Sequence, residues 1–412
     1  MSFSKKKPNH FEQKKKKKDD RQVLSYEELP LEEYEKQDKE NSVKLDKKKI
    51  IAAVSVVLVL VLCVLMYFGR GSIASCVGVT SGDAEFSVPI SGLDVEAGNF
   101  RVFSQGICYA SDTGFTYLSK DGEELLTHHL GFGDPMLKVK GTAAIIYDLG
   151  ATGYTICSDL KVMHSADAQD SIYLGDISSD FSYALVTETS GYNARLEAYS
   201  PDHKLIYAYN FSEYYVTSMA LNSDATGAVV CGVSTDKGVS TSAVYVLDFT
   251  REEPVAKHII TDDLIFDCDY LSDSSICAIG SSGTYICRGR SFGTLSKKTY
   301  NQMTLTSYDI NPDVGVLALS LSRSGDGRNC SIEYINSSGN TEKTIETDLS
   351  LVSVSTFKDR VAVSDTAGVY IYRNSGDLLK SQDIASDCKQ IRMFSVDGLY
   401  LLGLDDITAF KL

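Results

Sequence analysis

A short pattern recurs through most of this 412-residue chain and leaves it few folds to choose from. The pattern is a turn of the form Ser-x-Asp or Asn-x-Asp leading into an apolar strand. Copies are Ser178-Ser179-Asp180 before YALV, Asn222-Ser223-Asp224 before GAVV, Asn311-Pro312-Asp313 before VLAL and Ser395-Val396-Asp397 before LYLLG; Leu271-Ser272-Asp273 before ICAIG is looser. Short polar side chains hydrogen-bond the turn backbone, and Asp or Gly tolerates a positive φ. Each strand is followed by a small-residue turn and a second strand of aromatic or β-branched residues, as in SSGTYICRGR from Ser281 and DTAGVYIYRNSG from Asp365. Long helical periodicity is absent from about residue 98 onward.

Parsed on both recurrences, the units run at 98–130, 131–170, 171–212, 213–261, 262–302, 303–347, 348–385 and 386–412. A period of about forty residues is that of a four-stranded propeller blade. The last unit is one strand short, and the segment from Ala84 to Ile90 is placed to supply it. Such a closure removes the open sheet edges that invite aggregation. The expected fold is an all-β propeller over 84–412. Eight blades are favoured, with seven the alternative because the first unit is weak.

Ahead of the repeats, residues 50–68 read IIAAVSVVLVLVLCVLMYF, 19 residues without a charge. As a helix this run spans roughly 28 Å, close to the hydrocarbon thickness of a bilayer. Lys44, Lys47, Lys48 and Lys49 flank its N-terminal side, and only Arg70 lies near the other. The positive-inside rule then predicts a cytoplasmic tail over 1–49, a single transmembrane helix, a linker at 69–83 and an extracellular C-terminal domain. The same lysines are expected to meet anionic lipid. Ile73-Ala74-Ser75-Cys76 has the form of a lipoprotein cleavage box, but Gly69-Arg70-Gly71 separates it from the apolar run and the preceding region is too long. The tail has little apolar material to bury and is expected to be disordered alone, with Tyr26, Leu29, Leu31 and Tyr34 as an alternative docking element.

Charge excludes one class of partner. Residues 1–49 hold 15 Lys+Arg against 11 Asp+Glu, which leaves 25 against 44 beyond the tail, a net of −19. So acidic a domain is unsuited to nucleic acid. Of the ten cysteines, Cys63 lies in the apolar run and the other nine have no regular spacing, which argues against a disulfide framework. Cys277 and Cys287 flank the turn at Ser281-Ser282-Gly283, so a disulfide across that hairpin is one reading and paired buried thiols the other.

The turn–strand signature, the period and the closing strand resemble the broad propeller group that includes WD40-like, TolB-like and quinoprotein-like repeats. The chain has no Trp, so the WD dipeptide and the quinoprotein tryptophan motif are missing. The whole layout, with TETSGYNARLEAYSPDHKLIYAYN followed by YYVTSMALNSD, also resembles a family of membrane-anchored propellers of unknown function from clostridial bacteria. That resemblance implies a Gram-positive cell envelope and brings no activity with it.

Motifs for chemistry are scarce. His128-His129 are neighbours on a strand and point to opposite faces. There is no His-x-x-x-His, Cys-x-x-Cys, phosphate-cradling glycine loop or nucleophile elbow, and no cofactor is implied. Aligning the units on their turn Asp yields one constellation. Four residues upstream lie Asp176, Asp269 and Asp309, with Ala220, Ser355 and Met393 in other copies, and Asp267 precedes Asp269 by two. These positions fall late in the strand nearest the channel. They read either as an acidic rim for a cation or basic ligand, or as acceptors of backbone N–H groups that lock loops. The functional expectation is a non-catalytic binding or scaffold module in the cell envelope, with an envelope protein or glycan as partner. The alternatives are a hydrolase using the channel carboxylates or a single-pass sensor signalling through its tail.

Overall fold

Each unit contributes one continuously apolar strand, and the packing shows why that strand never meets water. Ala143–Asp148, Tyr183–Thr187, Ser275–Gly280 and Val316–Ser322 are buried along almost their whole length. A strand buried on both faces loses the polar alternation of a half-exposed one. The fourth strand of each sheet alternates instead, as in Val162–Asp167 and Thr294–Thr299, because one of its faces is solvated.

The computed structural model describes residues 84–412 apart from 94, 237, 290, 324–327 and 385–386. The expected tail, membrane helix and linker, with Lys44, Lys47, Lys48, Lys49, Cys63 and Cys76, lie outside the described residues. The described strands form eight four-stranded antiparallel sheets. Seven are continuous in sequence: Phe100–His129, Pro135–Asp167, Ile172–Phe211, Tyr215–Thr261, Ile265–Thr299, Thr304–Thr347 and Ser353–Asp383. These are blades 1 to 7, and they follow the parsed units closely. Blade 8 takes three strands from Gln390–Lys411 and its outermost strand from Ala84–Pro89. The N-terminal strand is antiparallel to the last one, with Val88 opposite Ile407 and Ser87 opposite Thr408. The protein is an eight-bladed propeller closed by its first strand.

The hydrophobic core is divided into eight clusters, each sandwiched between consecutive blades. Between blades 3 and 4, for example, Val186, Leu196 and Phe211 meet Met219, Val230 and Tyr245. The eighth cluster joins Phe100, Ile107 and Tyr109 of blade 1 to Tyr400, Leu402 and Ile407 of blade 8, with Phe86 and Val88 of the closing strand packed against it. No single blade has a core of its own, so the ring must close for its first and last blades to be covered on both faces.

Register corrects the expected pairing of Cys277 with Cys287. Cys277 lies opposite Ile286, and Cys287 opposite Ile276. An offset of one residue sends two side chains to opposite faces of a sheet. Cys277 therefore packs toward blade 6 and Cys287 toward blade 4. Both are buried and outside any disulfide, as are the other six cysteines of the described residues. Among those residues, no helix is long and apolar enough to cross a membrane.

Two outcomes follow. Phe86→Ala is expected to destabilise the propeller by about 1–3 kcal/mol, the cost of truncating a half-buried aromatic, measured as a lower urea midpoint; an unchanged midpoint contradicts closure by this strand. Alkylation followed by peptide mass spectrometry is expected to leave Cys277 and Cys287 unmodified in native protein and to modify both after denaturation without reductant. A requirement for reductant contradicts the register.

Candidate functional site

The first strand of each blade is its innermost, and the eight inner strands contact one another in sequence around an axial channel, with blade 8 meeting blade 1. One position on each inner strand belongs to a common level. It is the residue opposite a second-strand side chain that packs toward the following blade. Arg101 lies opposite Cys108, Lys138 opposite Ile145, Asp176 opposite Ala184 and Ala220 opposite Val229. Asp269 lies opposite Cys277, Asp309 opposite Ala318, Ser355 opposite Ala362 and Arg392 opposite Tyr400. In blade order the ring reads Arg, Lys, Asp, Ala, Asp, Asp, Ser, Arg. Its cations fall together on blades 8, 1 and 2, and its carboxylates on blades 3, 5 and 6.

Four of the eight ring side chains, Asp176, Asp309, Ser355 and Arg392, are fixed by hydrogen bonds to the next blade. The Leu221 N–H donates to Asp176 Oδ2 at 2.7 Å. Both the N–H and the hydroxyl of Thr356 donate to Asp309 Oδ2 at 2.7 Å. The Met393 N–H donates to Ser355 Oγ at 3.0 Å. A second tier lies two residues earlier. There the N–H groups of Leu137, Cys268, Val354 and Ile391 donate to Asn99, Ser218, Ser307 and Ser353 of the preceding blade. Ser, Asn and Asp suit this task because a short side chain reaches a backbone N–H without losing much conformational freedom. Arg392 completes the ring: its Nε donates to the Phe100 carbonyl of blade 1 at 3.3 Å. Its Nη1 passes the small Ser355 of blade 7 to reach Asp309 Oδ1 of blade 6 at 3.1 Å.

The four expected rim residues therefore differ in role. Asp176 and Asp309 tie blades together. Asp267 accepts from the Ser218 hydroxyl, the Cys268 N–H and the Tyr308 hydroxyl, at 2.7, 2.9 and 2.8 Å, so its acceptor capacity is largely used. Among the described residues, Asp269 accepts only from the neighbouring Tyr270 N–H, at 2.7 Å. Burial pushes the Asp269 carboxyl up to about 6; Lys140 opposes the rise, and Asp176 and Asp267 add to it. Burial likewise raises Asp176, against the pull of Lys138. For Lys138 burial disfavours the charge, but the Asp267 and Asp176 carboxylates outweigh it and hold the ammonium above its usual range. Burial, reinforced by Arg101, lowers Arg392 to about 10.

Two groups escaped the sequence reading. The cationic arc of Arg101, Lys138, Lys140 and Arg392 was one. Blades 1 and 2 turn at Ser104-Gln105 and Gly141-Thr142, without the Asp used for alignment, and in blade 8 the Asp sits one residue later, which selected Met393 in place of Arg392. The signal that finds them is strand register. The other was Asp263, which is buried and accepts from Ser281 Oγ, Ser282 N–H, Ser282 Oγ and the Tyr285 hydroxyl. Those bonds outweigh burial and lower its pKa, which makes it a loop lock and a poor base. His128 and His129 lie on the outermost strand of blade 1, Glu124–His129. Among the described residues, no group of three or more His, Cys, Asp or Glu is placed to hold a metal ion.

Four bulges lie just before the ring. Register shifts by one between Ile172 and Leu174, Val216 and Ser218, Ile265 and Asp267, and Leu305 and Ser307, in four consecutive blades. A bulge re-aims one side chain out of the ladder. In blade 5 that residue is Phe266, which is 44% exposed and lies 6.1 Å from the Tyr308 ring.

Fold and site together define an eight-bladed β-propeller with a charge-divided axial channel. The chain belongs to a family of unknown function, DUF5711, whose model matches residues 86–412. A search of curated proteins finds no match. Among solved structures, BamB from Moraxella catarrhalis is 13% identical, with a TM-score of 0.51 over 79% of this chain and 98% of that one. The Cps50 (Swd1) propeller domain of Myceliophteria thermophila is 12% identical, with a TM-score of 0.47 over 79% and 100% of the two chains. Kluyveromyces lactis Hsv2 is 13% identical, with a TM-score of 0.45 over 64% and 87%. At these identities the likeness to BamB concerns the fold alone.

The roles assigned to Asp309 and Asp269 separate on mutation. Asp309→Ala removes the acceptor of two Thr356 donors and the partner of Arg392, an expected loss of about 3–5 kcal/mol in urea unfolding. Asp269→Asn keeps the bond from Tyr270. The raised pKa means that folding penalises the ionised carboxylate: the stability it contributes is complete below the unfolded value and is lost as pH rises through about 6. The Asn variant is therefore expected to exceed the parent by about 1–2 kcal/mol near pH 8, water in the channel reducing the full linkage value, and to match it near pH 4. A variant less stable than the parent at both values contradicts the assignment.

Proposed function

We propose that the protein is a non-catalytic binding or scaffold propeller, held at the outer surface of a cell membrane by residues 50–68 with its N-terminal tail in the cytoplasm. The observation that supports binding over catalysis is the commitment of Asp176, Asp267 and Asp309. Each carboxylate accepts two or more donors or reaches the backbone of the next blade, so each is occupied in holding the ring. A general acid or base needs a carboxylate free to exchange its proton with substrate. A rigid disc with loops at both ends of its strands suits recognition, and the acidic balance beyond the tail favours partners that are not strongly anionic. The 19 uncharged residues and the lysines before them support the anchoring. The partner in this reading is an envelope protein or glycan, and the setting is a Gram-positive envelope.

Cross-linking of the full-length protein in native membranes, with mass spectrometry, tests both parts. The expected result is a recurrent envelope neighbour linked to propeller lysines, and labelling of those lysines in intact cells by an impermeant amine reagent while Lys5–Lys7 and Lys14–Lys18 stay unlabelled. Labelling of the tail from outside, or release of the protein by carbonate washing, contradicts the anchoring. Cross-links confined to the protein itself contradict the binding role.

A further inference from the structure

Once Arg392 has paired with Asp309, three charged ring groups remain incompletely satisfied. Arg101 and Lys138 have no hydrogen-bond acceptor and no ion-pair partner among the described residues, and the same holds for Lys140, two residues beyond Lys138 on the inner strand. Asp269 has one carboxylate oxygen without a donor among the described residues. All of them are half-buried at the channel wall. The two sets lie on different arcs, farther apart than a salt bridge, yet near enough for Asp176 and Asp267 to act on Lys138 and for Lys140 to act on Asp269. A structural ring has no need of this separation: where the protein requires neutralisation it supplies a direct pair, as Arg392 does for Asp309.

We propose that the axial channel binds a small zwitterion, an amino acid or short peptide with free termini, whose carboxylate meets Arg101 and Lys138 and whose ammonium group meets Asp269. This rests on the binding reading above and assigns it a ligand class. A simple anion would satisfy the cationic arc only, next to two carboxylates and inside a domain of strongly negative net charge. A simple cation would leave Arg101 and Lys138 with empty donors. Only a ligand carrying both charges satisfies both arcs and leaves the net charge unchanged. Guanidinium and ammonium donors on one side and the Asp269 carboxylate on the other also supply charge-assisted hydrogen bonds at both ends, the stronger kind. Phe266, exposed beside Tyr308, offers an apolar surface near the same ring.

The test is calorimetric titration of the full-length protein in detergent with glycylglycine and with triglycine, each compared with its N-acetylated and its C-amidated form. At least one free peptide is expected to bind, with both blocked forms weaker by about tenfold or more, the loss expected for one hydrogen bond to a charged group. Lys138→Gln and Asp269→Asn are each expected to weaken the free peptide similarly. Neither residue ties blades together, and a far-ultraviolet circular dichroism spectrum unchanged from the parent's verifies the fold. Lys138→Gln is further expected to lose discrimination against the amidated form, and Asp269→Asn against the acetylated form. Absence of binding by both free peptides overturns the proposal, as does equal binding of an acetylated anion. If cross-linking still recovers an envelope neighbour, such a result removes the channel ligand and leaves the binding module standing.

Discussion

Side-chain acceptors on one inner strand that capture backbone N–H groups of the next are the bonds on which this propeller depends. An inner strand has a second strand on one side only, so alternate N–H groups point at the channel with no ladder partner. A buried N–H left alone costs free energy comparable to a lost hydrogen bond. Asn99, Asp176, Ser218, Ser307, Asp309, Ser353 and Ser355 satisfy seven such groups and join consecutive blades in doing so. Elsewhere the seam is made differently. Blades 2 and 3 exchange backbone bonds between Gly150, Ala151 and Ile172, and blades 5 and 6 meet through the Tyr308 hydroxyl on Asp267. The apolar clusters supply most of the burial, and these polar bonds set the spacing and angle at which the clusters meet.

The charge of the channel follows from the same arrangement. A position that must reach the neighbouring backbone tolerates Asp or Ser, and where another bond holds the seam the position is released. Blades 1 and 2 are released in this sense, because Asn99 holds one seam and backbone bonds the next, and there the ring carries Arg101 and Lys138. Blade 5 is released as well, because Asp267 and Tyr308 hold its seam, and there Asp269 keeps a free oxygen. The unsatisfied charges thus stand where structural demand is lowest, the expected place for a ligand contact to be accommodated.

Much of the architecture is legible in the sequence because a propeller repeats itself. The turn Asp, the doubly buried strand and the final unit lacking a strand together disclose the blades and their closure by Ala84–Pro89. Asp176 and Asp309 are also visible, since their distance from the turn is constant. What they bond is less visible: the acceptor is local in sequence but its donor, Leu221 or Thr356, lies more than forty residues away on the next blade. The cationic arc is hidden because blades 1 and 2 dispense with the turn Asp, and a one-residue displacement in blade 8 exchanges Arg392 for Met393. The pairing of Cys277 with Cys287 fails for the same parity reason, since one residue of register moves a side chain to the other face. Turn spacing locates a strand, whereas face and partner depend on pairing that no single unit encodes.

Hydrogen exchange at single-amide resolution tests the inter-blade bonds most directly. The amides of Leu137, Leu221, Cys268, Val354, Thr356, Ile391 and Met393 have no strand partner on the channel side, so in isolated blades they would exchange freely. The account predicts protection at the level of global unfolding for all seven, with protection of Leu221 alone lost in Asp176→Ala and of Thr356 lost in Asp309→Ala. Rapid exchange of these amides in the native protein, while the amides of Ala143–Asp148 and Val316–Ser322 stay protected, would show that the blades are held by their apolar faces alone and would contradict it.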